Sequence, residues 1–246
     1  MFLLNFWRST IGKKVVMAVT GLIGVGFVIG HMLGNLQMFQ GPEKMNSYAA
    51  FLKSLGGLLW LVRLILLGAV VLHVVAAFQL SRLRLAARPV GYANGGQREV
   101  STLASRTIRW GGALVLLFIV FHILHFTTLS IFPDYSHTDV YGNVISGFRI
   151  WWVSLFYVVA MVFLGLHLYH GTWSSLRTIG ATRPTGNPLR RRAALLVAVA
   201  VWAGFTAIPV AVYFGLIEPA TARAVAASHA PAPATRAAHA AAPRAR

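Results

Sequence analysis

The chain has 246 residues, of which 57% are hydrophobic and only 11% are charged. A soluble domain carries about 25% charged residues, so this composition excludes an ordinary soluble protein. The sequence contains no cysteine, which excludes disulfides, thiolate metal sites and protein-ligated iron–sulfur clusters.

The formal net charge of +17 comes from 22 Lys and Arg residues against five acidic residues. The basic residues lie mostly in short segments between long apolar runs, which is typical of a membrane protein rather than of a nucleic-acid-binding surface. We therefore expect a multi-pass membrane protein, with lipid around it and no nucleic-acid partner.

Five stretches are long enough to cross the hydrocarbon core of a membrane, which takes about 20 residues. They cover residues 11–39, 56–80, 107–132, 150–176 and 193–217. The first stretch is too long for the core of a signal peptide and lacks a clear cleavage site, so we interpret it as a span. The predicted fold is an all-α integral membrane domain over residues 1–217.

The segments between the spans differ in charge, and this difference predicts the orientation. The N-terminus, the second connection and the fourth connection are rich in Lys and Arg, whereas the first and third connections are not. Positively charged connections stay in the cytoplasm, so the N-terminus is predicted to be cytoplasmic and the C-terminus to lie outside. Residues 218–246 form an Ala/Pro-rich tail that is predicted to be disordered.

Six of the nine histidines lie inside predicted spans. They are His31, His73, His122, His125, His167 and His170. One histidine in a span is most simply explained by a hydrogen bond between helices. At least one in each of the first four spans favours a functional role instead, because polar residues in the bilayer are costly. Helical bundles commonly hold cofactors between side chains of facing helices.

The spacing of these histidines from the charged boundary predicts two levels. At about 1.5 Å per residue, His73 and His167 lie roughly 14 Å from the inner boundary, and His31 and His122 roughly 20–26 Å. Bis-histidine haem needs two imidazoles that face each other across the macrocycle. We therefore predict that the first four helices form a bundle that binds two haem b groups, with one histidine of each helix as an iron ligand.

Four further residues are candidates for contacts to the haems. His125 and His170 each follow another histidine by three residues, so either could be the true ligand, a hydrogen-bonding neighbour of the ligand or a partner of a haem propionate. Depth alone slightly favours His125 over His122 as the partner of His31, so spacing does not settle which of the two is the ligand. Arg63 and Arg177 are candidate partners of propionates, against the simpler explanations of snorkelling for Arg63 and an orientation signal for Arg177.

Four segments of the chain resemble the cytochrome b membrane anchor of succinate:quinone oxidoreductases, in its single-chain, five-helix, di-haem form. The similarity covers residues 1 to about 217, and it depends on the order and near-even spacing of the segments. These are GHMLGN around His31 followed by GPEKMNSYAAFLKSL, LHVVAAFQ around His73, RWGGALVLLFIVFH leading to His122, and HLYHGTWSS starting at His167.

Carried over position by position, this resemblance implies axial ligation by His31, His73, His122 and His167. The arginine and glycines before the third-span histidine select His122, and the glycine and tryptophan after the fourth-span histidine select His167. The family's pairing implies an inner haem between His73 and His167 and an outer haem between His31 and His122.

The resemblance also implies a function and partners. The chain would be the membrane subunit of a succinate dehydrogenase of the tricarboxylic acid cycle and the respiratory chain. A flavoprotein subunit and an iron–sulfur subunit would dock on its cytoplasmic face in the bacterial plasma (inner) membrane. A higher oligomer of the complex is left open. Electrons would pass through the inner and then the outer haem to a membrane quinone, for which we expect menaquinone.

Succinate oxidation itself is expected on the partner subunits, and we predict no catalytic residue for it in this chain. Glu43 matches an acidic residue of the family near the quinone region and is a candidate proton acceptor. Some family members carry a glutamate two residues before the fourth-span ligand, where this chain has Gly165. This difference argues against a proton route through carboxylates across the membrane.

Two alternative functions remain open at this point. The first is a haem b subunit of another membrane dehydrogenase, such as a hydrogenase or a formate dehydrogenase, which differs in ligand spacing and helix number. The second is a haem-free transporter or scaffold whose histidines form hydrogen bonds or relay protons.

Overall fold

The computed structural model describes residues 2–87, 102–132, 134–181 and 188–219. Within these ranges the chain forms helices joined by turns and loops, and it contains no strand. The helices are α1 (Phe2–Arg8), α2 (Thr10–Asn35), α3 (Pro42–Ser54), α4 (Gly57–Ala86), α5 (Leu103–His122), α6 (Val140–Arg149), α7 (Trp151–Thr178) and α8 (Pro188–Tyr213). The predicted disordered tail lies outside the described residues from 220 onwards.

Five helical segments are long and apolar enough to cross a membrane. They are Thr10–Gln40, Gly57–Ala86, Leu103–Thr127, Trp151–Thr178 and Pro188–Tyr213. This confirms the prediction of an all-helical, multi-pass membrane protein with five spans. The largest difference between the predicted and observed bounds is at the end of the second span. There α4 continues to Ala86, through the basic segment after residue 80.

The helix α7 lies at the centre of the packing. It packs against α2, α5 and α8, while α2 also packs against α4 and α8. Four spans therefore follow each other as neighbours in the order α4, α2, α7 and α5, with α8 against α2 and α7. The fifth span is thus part of the bundle, although the prediction assigned the haem-binding bundle to the first four spans alone.

Two short helices, α3 and α6, lie in the first and third connections and pack against each other. The Asn46 amide donates a hydrogen bond to Asp139 (2.9 Å) and accepts one from the backbone N–H of Tyr141 (2.9 Å). The Lys53 ammonium donates to the backbone carbonyl of His137. We call α3, α6 and residues 134–139 the α3–α6 cap, which sequence periodicity did not predict.

The two ends of the bundle differ in the size of their buried side chains. Near the α3–α6 cap, Met38, Tyr141 and Val153 are fully or almost fully buried. At the opposite end the buried side chains of the spans are mostly small, among them Ala18, Ala76, Ala104 and Ala194. Large apolar side chains therefore fill the cap end, whereas the helices at the other end pack through small residues.

Candidate functional site: two pairs of facing histidines

Four of the six histidines in the spans face each other in two pairs. The ring centres of His31 and His122 are 5.7 Å apart, and those of His73 and His167 are 6.1 Å apart. Two imidazoles bound to opposite sides of one metal ion, with bonds of about 2.0 Å, have ring centres about 6 Å apart. The ring planes are inclined at 80° and 63°, and both separations match imidazoles on opposite sides of a single metal ion.

Each histidine pair joins two helices that do not pack closely. The His31–His122 pair joins α2 to α5, and the His73–His167 pair joins α4 to α7. Neither combination is among the closely packed helix pairs of the described chain. The imidazoles therefore reach towards each other across the middle of the bundle rather than touching within a helix–helix interface.

The pairs occupy two levels along the bundle. His73 contacts α2 at Thr20, whereas His31 is itself on α2, eleven residues further along. Eleven residues of helix span about 16 Å. The His31–His122 pair is nearer to the α3–α6 cap, so we call it the cap-side pair and the His73–His167 pair the far pair.

Aromatic side chains surround the cap-side pair. Phe27 stacks on His31, with ring centres 5.2 Å apart and planes 13° apart. Phe118 stacks on His122 at 5.7 Å and 29°. Phe205 of α8 lies 5.8 Å from His31, so the fifth span contributes to this site. These rings replace water with an apolar wall around both imidazoles.

A backbone carbonyl and a hydroxyl hold His73 of the far pair. His73 Nδ1 lies 3.0 Å from the carbonyl oxygen of Met17 and 3.3 Å from the hydroxyl of Thr20. Because a carbonyl can only accept a hydrogen bond, Nδ1 carries the proton and the lone pair of His73 is on Nε2. His167 Nδ1 is buried and has no hydrogen-bond partner among the described residues.

A glycine of a neighbouring helix lies beside each far-pair ring, and at Gly21 the approach is too close for an ordinary side chain. A Cβ atom on Gly21 would lie 3.2 Å from His73 Cε1, which is tighter than an ordinary contact. A Cβ atom on Gly112 would lie 3.5 Å from His167 Cε1. The far-pair imidazoles thus lie directly over helix backbone.

His125 occupies a different environment from the four paired histidines. It is fully buried on a π-helical turn, Ile123–Thr127, that follows α5. Its Nδ1 lies 2.9 Å from the Tyr157 hydroxyl and its Nε2 lies 3.1 Å from the Tyr135 hydroxyl. Both ring nitrogens therefore have a phenol partner, and neither is free to bind a metal ion. Burial raises the pKa of Tyr135 to about 12, so this phenol stays protonated at neutral pH.

The remaining candidates lie away from the pairs or beside them. His170 is half-buried one turn beyond His167, and Arg63, Arg177 and Glu43 are exposed. The Arg63 guanidinium lies 5.0 Å from the centre of the Trp60 ring on its own helix. Among the described residues, no hydrogen bond or ring contact joins Arg63, Arg177 or Glu43 to a paired histidine.

Tyr157 and Phe205 are parts of this site that sequence reasoning missed. A tyrosine within a span was a usable signal, because a buried phenol needs a hydrogen-bond partner. Its position ten residues before His167 did not indicate that the partners would come from the third span. Nothing in the sequence distinguished Phe205 from the other aromatic residues of the spans.

The described residues contain no group of three or more His, Cys, Asp or Glu side chains that could hold a metal ion. Each histidine pair therefore offers two imidazoles to a metal ion. Comparison with models of protein families, with curated proteins and with solved structures found no match. The fold and the site define a multi-pass helical membrane protein with two pairs of facing histidines in its interior.

Proposed function

We propose that the chain is the cytochrome b membrane subunit of a succinate:quinone oxidoreductase and that it binds two haem b groups. One haem would lie between His73 and His167 and the other between His31 and His122. The observation that carries this proposal is the distance between the ring centres of the paired imidazoles, 5.7 Å in one pair and 6.1 Å in the other. In each pair the two imidazoles come from helices that do not pack closely. A porphyrin supplies four ligands to its iron, so each pair supplies the two that remain.

The chemistry of the far pair fits an axial ligand. A histidine that binds a metal usually donates its other ring N–H to a carbonyl or carboxylate, which fixes the tautomer and the orientation of the ring. His73 donates from Nδ1 to the Met17 carbonyl in this way and presents the lone pair of Nε2. His167 presents a buried imidazole on the opposite side, 6.1 Å away between ring centres.

The environment of His125 supports His122 as the ligand on α5. Both nitrogens of His125 have hydroxyl partners, whereas the hydrogen bond of His122 to Tyr157 uses only Nδ1, at 3.2 Å. The described residues offer no hydrogen-bond partner to Nε2 of His122, and this nitrogen is available for iron.

The proposed activity is electron transfer across the membrane domain. Haem supplies reversible one-electron chemistry when it is bound. The paired histidines would orient two such groups at two levels, and the aromatic side chains beside them would exclude water from the cap-side group. The succinate site would belong to a flavoprotein and an iron–sulfur subunit docked on the cytoplasmic side, with menaquinone as the electron acceptor in a bacterial plasma membrane.

The proposal is tested by purifying the chain with its partner subunits and measuring haem per chain and the reduced-minus-oxidised spectrum. We expect two haem b groups per chain, both reduced by succinate. His73→Leu and His31→Leu should each lose one haem, because each removes one axial ligand. His137→Leu is the matched control, since His137 is exposed in the α3–α6 cap.

Two other outcomes would each contradict a different part of this proposal. The absence of haem would contradict the di-haem function and leave a transporter or scaffold. Two haems that are reduced through hydrogenase or formate dehydrogenase subunits, and not by succinate, would retain the cytochrome but reject the succinate:quinone assignment.

A further inference from the structure

Four side chains form a hydrogen-bonded row from the cap-side pair to the α3–α6 cap. The Tyr157 hydroxyl lies 3.2 Å from Nδ1 of His122 and 2.9 Å from Nδ1 of His125. Nε2 of His125 lies 3.1 Å from the hydroxyl of Tyr135, at the edge of the cap. The row therefore runs from His122 through Tyr157 and His125 to Tyr135.

The number of hydrogens restricts the direction of these bonds. A phenol has one hydrogen, so Tyr157 can donate to only one of the two Nδ1 atoms beside it. The other Nδ1 must carry a proton and donate to the phenol oxygen. A neutral imidazole carries its proton on one nitrogen, so the tautomers of His122 and His125 depend on each other through Tyr157.

We propose that Tyr157 is a positioning residue for the His122 ligand, which rests on the function proposed above. A histidine that binds iron through Nε2 carries its proton on Nδ1, so His122 donates to the Tyr157 oxygen. Tyr157 then donates to Nδ1 of His125, whose proton lies on Nε2. His125 in turn donates to Tyr135, and every hydrogen bond in the row points from the ligand towards the cap.

This direction has a consequence for the cap-side haem. When a ligand imidazole donates its N–H to an oxygen, the ring becomes more basic and donates more electron density to the iron. More electron density stabilises the oxidised iron and lowers the midpoint potential. Tyr157 therefore lowers the potential of the cap-side haem and holds the His122 ring in one orientation.

Packing alone does not require a tyrosine at this position. The ring of Tyr157 packs against Phe118 at 5.0 Å and Phe148 at 4.8 Å between ring centres, contacts that a phenylalanine would retain. The hydroxyl contributes only the two hydrogen bonds to the histidines. A Tyr157→Phe variant thus removes the hydrogen bonds and keeps the wall of the site.

The first test is a redox titration of the Tyr157→Phe complex. We expect two haems per chain, a higher midpoint potential for the haem that His31→Leu removes, and an unchanged potential for the other haem. Tyr141→Phe is the matched control, because the buried Tyr141 hydroxyl donates to the Glu218 carbonyl and lies outside the row. It should leave both potentials unchanged.

The second test reads the tautomer of His125 in the unmodified complex. Reduced six-coordinate haem is diamagnetic, so nitrogen-15 NMR of labelled histidine in the dithionite-reduced complex resolves protonated from unprotonated ring nitrogens. We expect a neutral His125 with its proton on Nε2, assigned by the signal that His125→Gln removes.

A proton on Nδ1 of His125 would overturn the proposed direction even if Tyr157→Phe fails to fold. Two haems with unchanged potentials in Tyr157→Phe would reject Tyr157 as a positioning residue and leave the di-haem function intact. An unmodified complex without haem would overturn both the role of Tyr157 and the di-haem function. The absorption spectrum alone identifies this case.

Discussion

The cap-side pair and the far pair present the same two imidazoles in different surroundings. Side chains hold the cap-side pair: Phe27 and Phe118 stack on its rings, and the Tyr157 hydroxyl lies beside His122. Backbone holds much of the far pair, through the carbonyl of Met17 and through glycines under both rings. One bundle thus orients its two pairs of imidazoles by two different means.

This difference follows the packing of the two ends of the bundle. Large apolar side chains fill the cap end, whereas small ones bring the helices together at the other end. Close helices let a ring rest on backbone, and a backbone carbonyl cannot be removed by substitution. The far pair should therefore be sensitive to added volume, and the cap-side pair to lost volume and lost hydroxyl groups.

The largest effect is expected from adding volume under the far pair. A Cβ on Gly21 already lies 3.2 Å from His73 Cε1, so the branched side chain of Gly21→Val would displace the imidazole. We expect haem to fall from two groups per chain to one, measured by haem content per polypeptide. Gly26→Val is the matched control, because Gly26 is exposed on the same helix and no atom lies within 4 Å of its added Cβ. Retention of two haems with normal potentials in Gly21→Val would show that the far pair tolerates volume.

A smaller effect is expected from removing volume beside the cap-side pair. Phe118→Ala would delete a ring that is 9% exposed and stacks on His122. Buried Phe→Ala substitutions destabilise proteins by about 3–5 kcal/mol, so we expect a lower thermal midpoint in detergent. Water admitted to the gap would stabilise oxidised iron and lower the potential of the cap-side haem.

The control for this change is Leu117→Ala, since the neighbouring Leu117 is 64% exposed. It should leave the thermal midpoint and both potentials close to those of the unmodified complex. An equal loss of stability in the two variants would mean that the aromatic wall contributes no more than the lipid-facing surface.

The spans could be predicted from the sequence because hydrophobic length is a local property. Counting residues from the charged boundary also predicted two histidine pairs at two depths, since helix rise is constant, although depth alone slightly favoured His125 over His122 beside His31. The structure places His122 opposite His31 and His167 opposite His73, while their ligation of haem stays a prediction.

Other features depended on contacts between distant segments and could not be predicted in this way. Spacing left His122 and His125 as alternatives because they differ by one turn. The difference between them comes from phenols at positions 135 and 157, which lie in other parts of the chain. The α3–α6 cap escaped prediction because its short helices lie in connections with mixed polarity and have few periodic residues.

The smallest effect is expected from Thr20→Val, which matches Tyr157→Phe at the far pair. Each substitution removes one hydroxyl beside Nδ1 of a proposed ligand and keeps most of the side-chain volume. Nδ1 of His73 retains the Met17 carbonyl at 3.0 Å, whereas Nδ1 of His122 has no second hydrogen-bond partner in the described chain. We therefore expect the far-haem potential in Thr20→Val to shift by less than the cap-side potential in Tyr157→Phe, both measured by redox titration of the complex. Equal shifts would show that the backbone carbonyl does not replace the lost hydroxyl, and the contrast between a backbone-held and a side-chain-held pair would fail.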